Sequence, residues 1–159
     1  MKDLWSAVVA IVLLGFSGCT GSPTRDIVRD SFPEAEAAIR AEMLALNDID
    51  NDWDALRAAH LQGPKFTEFG AGLQRHDFEE MIAAEIAAVS AVKDLAIDFR
   101  DLKIDVFGDV AIATSFPHFT WTNENGERDG MHRRATMVYV KTADGWKIAH
   151  EHLSAPETE

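Results

Sequence analysis

Two histidines one residue apart, His150 and His152, lie near the end of the chain. An imidazole titrates near neutral pH, so such a pair can transfer protons, hold a metal ion or bind a polar ligand. A zinc site would need a third ligand from a neighbouring strand, which His132 or His118 could supply. Because the positive charge of Arg134 is expected nearby and would repel a cation, we expect no metal site and no cofactor.

The direction of these side chains depends on the alternation of the strand that carries them. Residues 146–154 are predicted to form a strand, in which Trp146 and Ile148 share a face with the two histidines. Since Trp146 and Ile148 are large and apolar, this face is predicted to contact the helices. His150 is then expected to be the more buried histidine and His152 the more open one.

Two neighbouring strands, predicted at 131–141 and 110–121, repeat this gradient from apolar to polar along one face. An apolar floor with a few convergent polar groups is typical of a binding pocket. We therefore predict that a small organic ligand is bound by Arg134, His118, His132, Thr136 and, from a helix, Trp53. A structural interpretation stays open, in which the histidines are only hydrogen-bonded and Arg134 pairs with Glu68 or Glu151.

The elements that must position these residues begin with three helices. Ser31 and Glu34 fit a capping box at the start of the first helix. The second helix is predicted to begin near Trp53, after a break at 48–51, and the third near Asp77. Each has apolar side chains at helical spacing, which predicts one buried face per helix.

The remaining chain has the period of strands. Strands are predicted at 66–69 and 95–107, with a slip near Arg100 and Asp101 that is typical of a bulge. The segments 110–121, 131–141 and 146–154 follow, and the polar segment 123–130 is predicted to be a turn. Three helices followed by an antiparallel sheet predict the α+β class.

The opposite face of this sheet is predicted to be too apolar to face water. It would carry mostly small and aliphatic side chains, namely Ala111, Ala113, Phe119, Ala135, Met137, Tyr139 and Leu153. An apolar patch of this kind is typical of an interaction surface. We therefore expect a homodimer through the sheet.

Charge excludes two classes of partner. The 159 residues have a formal net charge of −12, whereas nucleic acids and anionic lipids require a basic surface. We expect no nucleic acid partner, and contact with a membrane only through a lipid anchor.

The start of the chain predicts export. The apolar run from Leu4 to Phe16 is too short for a membrane span, which needs about 20 residues, and it fits a signal peptide at 1–18. Small residues precede Cys19, the single cysteine, as in a bacterial lipobox. We expect lipidation at Cys19, a tether at 19–30 and a folded domain at 31–156, periplasmic or at the cell surface. Cleavage without lipidation is the alternative.

Three runs near the end of the chain, 134–136 (RAT), 144–148 (DGWKI) and 150–156 (HEHLSAP), resemble the end of SnoaL-like, ketosteroid isomerase-like domains of the nuclear transport factor 2-like superfamily. The resemblance extends from about residue 34 to 156. It implies a cone-shaped α+β fold, in which a curved sheet packs on three N-terminal helices and encloses a pocket. Members include isomerases, polyketide cyclases, dehydratases and domains that only bind or oligomerise, so the resemblance leaves open whether this chain is an enzyme.

The resemblance also implies candidate catalytic residues. The base of the isomerases falls near Glu68, and a carboxylate in an apolar pocket has a raised pKa that suits a base at neutral pH. The predicted catalytic set is therefore Glu68, His150 and His152. The run HEHLSAP is similar to the end of iota-class carbonic anhydrases, which implies carbon dioxide hydration, or another hydratase or isomerase activity, as an alternative.

Overall fold

The computed structural model describes residues 26–48, 52–70, 72 and 74–155. The predicted signal peptide and Cys19 lie outside these residues. None of the helices in the described part of the chain is long and apolar enough to cross a membrane.

Three α-helices precede the long strands, as predicted. They are α1 (Pro33–Ala45), α2 (Trp53–Ala59) and α3 (Phe78–Ser90), and a 3-10 turn at Leu46–Asp48 follows α1. A reciprocal capping box between Asp77 and Glu80 begins α3, which satisfies two backbone donors of its first turn. The capping box predicted at Ser31 is wrong, because α1 begins at Pro33 with Phe32 as its N-cap and no side-chain cap.

Seven strands form one sheet, with the order β2-β1-β7-β6-β4-β3 and β5 paired to β4. Their bounds are β1 (Thr67–Phe69), β2 (Arg75–His76), β3 (Lys93–Phe107), β4 (Val110–Thr122), β5 (Arg128–His132), β6 (Arg134–Thr142) and β7 (Gly145–Ser154). Among the strands within the described residues, β1 and β7 form the one parallel pair. Helices packed on a curved, mostly antiparallel and unclosed sheet confirm the α+β cone fold.

Two strands differ from the prediction. The short strand β2 was not expected, and the polar segment predicted as a turn ends in β5. The expected strand 131–141 is divided at Arg133, whose backbone N–H donates to the Pro117 carbonyl at 3.0 Å. On either side of this point β4 changes partner from β6 to β5. The bulge predicted in β3 is confirmed between Arg100 and Lys103.

The side chains predicted to lie on the outer face of the sheet lie on its inner face, which packs on the helices. Ala111, Ala113, Ala135, Met137 and Tyr139 are all buried there. They join the helical side chains in a core whose fully buried members include Ile39, Met43, Phe66, Met81, Ile82 and Ile148. The expected position of this set on the outside is therefore wrong.

Tyr139, and not Val138 or Val140, pairs with Ile148, and this register places its set inward. A bulge in β7 accounts for the direction of the histidines that follow. Tyr139 of β6 pairs with Ile148, but the preceding residue Val138 pairs with His150, so Ala149 is an extra residue in β7. An extra residue shifts the alternation of a strand by one position. Ile148 faces inward as predicted, whereas His150 and His152 face outward. The prediction that both histidines face the helices is wrong, because both follow the bulge at Ala149.

Candidate functional site

A pocket of about 780 Å³ lies between the helices and the inner face of the sheet. Apolar and polar groups both contribute substantially to its wall, which includes the predicted ligand contact Trp53. The other apolar lining residues come from the helices and four strands, and they include Leu46, Leu56, Val89, Ile97, Phe99, Pro117, Phe119, Met137 and Leu153. The volume is sufficient for a small organic molecule.

A buried imidazole and carboxylate face each other at this wall. His60 lies at the C-terminal end of α2, and its Nδ1 is 2.8 Å from the carbonyl oxygen of Leu56. Donation from Nδ1 to that carbonyl directs Nε2 at the Glu151 carboxylate, 3.5 Å away. His60 is 4% exposed and Glu151 6%. A buried carboxylate without such a partner would be strongly destabilising.

The environment favours the charged form of His60. Burial by itself would lower the pKa of this imidazole, but the interaction with Glu151 and the Leu56 carbonyl outweigh it, and the pKa is raised. The bulge at Ala149 makes this pairing possible, because it directs Glu151 inward.

A second pair lies next to the first. Glu68 of β1 is 4% exposed, and its Oε2 is 2.9 Å from Nδ1 of His76. Since β1 and β7 are parallel neighbours with Glu68 opposite Glu151, the two carboxylates lie side by side. Glu68 belongs to the buried group beside the pocket and is absent from the described lining. Its role as a base stays a prediction.

Glu85 of α3 supplies a third carboxyl group, which lines the pocket. No hydrogen bond or ion pair to this carboxyl occurs within residues 26–48, 52–70, 72 and 74–155. Burial, followed by the negative charges of Glu151 and Glu68, raises the pKa of Glu85 to about 7, and His60 offsets part of this effect. Glu85 therefore exchanges a proton near neutral pH.

Two of the predicted catalytic residues lie on the outer face of the sheet, away from this pocket. Nδ1 of His150 is 2.9 Å from the Thr67 hydroxyl, and the ring of Phe69 contacts both His150 and His152 edge-on. Thr136 is the register partner of His152 on the same face. These positions do not support the predicted inward-facing site.

The other three predicted ligand contacts are also on the outside. The rings of His118 and His132 stack with centroids 4.1 Å apart, and Arg100 donates to Nδ1 of His118 at 3.0 Å. The surrounding groups displace water from the His118 ring and lower its pKa, and the charges of His132 and Arg100 lower it further. Arg134 donates to the Ala155 carbonyl at 3.2 Å. Of the predicted ligand contacts, Trp53 lines the pocket.

Residues 36–158 match the family model of the SnoaL-like domain. The chain belongs to the SnoaL-like domain family. This match includes most of α1, the other helices and the whole sheet. It also includes His60, Glu85 and Glu151, so the pocket lies within the SnoaL-like domain.

Solved structures share the fold of this SnoaL-like domain. A candidate dehydratase of the nuclear transport factor 2-like family from Streptomyces avermitilis has a TM-score of 0.72 and 16% identity, over 80% of this chain and 100% of its own. A candidate association domain of calcium/calmodulin-dependent protein kinase II from Xanthomonas campestris has a TM-score of 0.66 and 20% identity, over 81% of this chain and 91% of its own. The hub of that kinase from S. rosetta has a TM-score of 0.58 and 25% identity, over 80% of this chain and 99% of its own. No curated protein matches the sequence.

Sequence reasoning did not identify the polar residues of this SnoaL-like pocket, although two of them have a recognisable pattern. His60 follows Trp53 and Leu56 on the apolar face of α2, and Glu85 lies among the apolar residues of α3. A titratable residue on the apolar face of a helix indicates either a paired core group or a functional one. Glu151 has no such signal, because its inward direction depends on the bulge at Ala149.

Proposed function

We propose that this SnoaL-like domain binds a small organic molecule with an apolar body in the inner pocket and transfers a proton to or from it. The observation that carries this proposal is the Glu85 carboxyl, which lines the pocket beside the pair formed by His60 and Glu151 and has no hydrogen bond or ion pair within the part of the chain that the structure describes. A proton donor or acceptor works best when its pKa is near the operating pH, and the pKa of Glu85 is about 7.

The two groups would have different roles. Glu85 exchanges the proton with the ligand, and the buried pair of His60 and Glu151 sets the charge around it. Trp53 and Phe119 on the pocket wall would contact the apolar body and exclude water, which strengthens electrostatic interactions in the pocket.

Proton exchange on a ketone probe tests this proposal. The bicyclic ketone 2-tetralone has an acidic C–H group and an apolar body, and its hydrogen exchange in heavy water can be followed by proton NMR. We expect wild type to accelerate the exchange, and Glu85→Gln to reduce the acceleration by about 100-fold or more, the range of general acid–base catalysis.

A matched variant on the outer face provides the control. His152→Gln alters an exposed imidazole outside the pocket and is expected to leave the exchange unchanged. Binding is followed separately by calorimetry, for which Trp53→Ala should weaken the affinity for the ketone. Failure of wild type to bind or exchange the ketone, or equal losses in the Glu85 and His152 variants, would contradict the proposal.

We also propose that the outer face of the sheet pairs two copies of the chain. Four apolar side chains on or beside this face are unusually exposed, namely Phe69 41%, Val110 41%, Ile112 38% and Phe116 52%. Exposed apolar residues that form one surface are typical of interfaces. The relatives named as an association domain and a hub support assembly through this fold. The proposed partner is a second copy, because the flanking charges include both signs, with Asp98, Arg100 and Lys103 on the neighbouring strand.

Light scattering at micromolar concentration tests this second proposal. Wild type should have the mass of a dimer, and Phe116→Arg the mass of a monomer, because a charge would be buried at the interface without a partner. Val28→Arg is the control, since Val28 is 76% exposed and lies outside the sheet. A monomeric wild type would refute the dimer and leave the pocket proposal unaffected.

Export with lipidation of Cys19 is proposed from the sequence of the first 19 residues. Mass spectrometry of the mature protein from cells that produce the full chain should detect a lipidated cysteine as the first residue. Cys19→Ser should release the protein from the membrane fraction. A mature chain that begins elsewhere would support simple secretion instead.

A further inference from the structure

The acidic groups in and beside this pocket outnumber the imidazoles that pair with them. Glu151 faces His60 at 3.5 Å and Glu68 faces His76 at 2.9 Å, which leaves Glu85 as the third carboxyl group. Since each imidazole already has its own carboxylate, neither provides a dedicated counter-ion for Glu85. Because Glu85 is half-buried, a proton or a positive partner from the pocket would stabilise its carboxyl group.

The other charged groups of the lining do not supply that partner. Lys93 and Asp94 are both exposed neighbours in sequence, so their charges oppose each other in contact with solvent. No arginine occurs in the pocket lining that the structure describes. Because His60 neutralises Glu151, Glu85 is the carboxyl group of the lining that would repel an anionic ligand and attract a cationic one.

The rest of the lining also suits a cation with an apolar body. Three aromatic side chains line the pocket, namely Trp53, Phe99 and Phe119. The face of an aromatic ring attracts a cation, and this attraction is stronger where water is excluded. The aliphatic residues around them would contact the carbon skeleton of the ligand.

We infer that the ligand of this pocket carries a positively charged nitrogen on an apolar, preferably aromatic, body, and that Glu85 is the counter-ion of that nitrogen. This inference rests on the proposed ligand-binding function and names the charge class of the ligand. Binding of the cation would take place with the ionised carboxylate, so the fraction of Glu85 that is protonated would release its proton.

Three probes with one carbon skeleton test the charge class by calorimetry at pH 7. They are the cation of 2-aminotetralin, the neutral alcohol 2-tetralol and the anion tetralin-2-carboxylate. We expect wild type to bind the ammonium probe about 10-fold more tightly than the alcohol, and the carboxylate more weakly than the alcohol. Measured in phosphate and in Tris, ammonium binding should release about half a proton, since the pKa of Glu85 is about 7.

Two variants assign the preference to one residue. Glu85→Gln should bind the ammonium probe and the alcohol equally well. Asp144→Asn removes the same charge from the exposed turn before β7 and should retain the wild-type preference, which separates a local effect from the net charge of the protein.

The outcomes distinguish this inference from the proposed function. If wild type binds the alcohol at least as tightly as the ammonium probe, the charge inference is overturned and the ligand-binding pocket is retained. An ammonium preference that persists in Glu85→Gln also overturns it. If none of the three probes binds, the pocket proposal fails together with the inference.

Discussion

The two faces of the sheet hold imidazoles in opposite environments. On the inner side, His60 and His76 each face a carboxylate that is at most 6% exposed. On the outer face, His118 and His132 stack on each other, and His150 contacts a threonine hydroxyl. The pKa of His60, buried beside Glu151, is raised, whereas the pKa of the outer His118, beside His132 and Arg100, is lowered. The comparison teaches that the location of the proton chemistry is determined by the partner and the burial of an imidazole, and not by a conspicuous sequence motif.

Insertion of one alanine between Val138 and Tyr139 is the most severe test of this difference. The inserted residue would pair with Ala149 and remove the bulge, so that regular alternation would direct Glu151 outward and the two terminal histidines inward, against the core. We expect unfolding or a loss of about 4 kcal/mol or more in the free energy of unfolding, measured by urea denaturation. Ala149→Ser retains the extra residue and should have a small effect. An insertion variant with wild-type stability would show that the bulge does not set the two faces.

Replacement of single imidazoles sharpens the comparison. His60→Ala leaves Glu151 buried without its partner, so a loss of about 3 kcal/mol is expected. His152→Ala removes an exposed ring and should change the stability by less than about 0.5 kcal/mol. Both are measured by chemical denaturation at pH 7. Equal losses in the two variants would remove the distinction between the faces.

The Glu85 carboxyl is expected to have a smaller effect, which is a dependence of stability on pH. The folded-state pKa of Glu85, about 7, is raised above its ordinary value of 4.5. Its contribution to stability is therefore fully present below pH 4.5 and is lost as the pH rises through 7. Glu85→Gln cannot ionise, so it should be more stable than wild type at pH 8 by about 2 kcal/mol and equally stable at pH 4.

Thermal or urea unfolding at both pH values measures this difference. The exposed variant Asp144→Asn is the control, because its carboxylate lies in the turn before β7. Wild type and Glu85→Gln with parallel stability profiles between pH 4 and 8 would contradict a carboxyl group with a raised pKa.

The architecture of the chain is predictable from its sequence, because helices and strands of this length have strong periodic patterns. The apolar spacing of α3 and the slip at Arg100 in β3 are local signals. The division between β5 and β6 is harder to predict from the sequence, because it depends on which strand pairs with β4 on either side of Pro117.

The pocket was predicted only in part, for a reason that involves one residue. Strand alternation places Trp146 and Ile148 correctly, but the extra residue Ala149 is defined by its pairing with β6 and not by any property of alanine. A shift of one residue exchanges the faces of all later side chains. His150, His152 and Glu151 were therefore assigned to the wrong faces, and Glu85 was not considered.

The titration of the Glu85 carboxyl by carbon-13 NMR tests the central claim most directly. Wild type labelled at glutamate is titrated from pH 4 to 9, and Glu85→Gln identifies the signal of Glu85. We predict a midpoint near 7 for this carboxyl, in agreement with its burial beside Glu151 and Glu68. A midpoint near the ordinary value of 4.5 would show an ionised, solvated carboxylate and would contradict the inner pocket as the site of proton transfer.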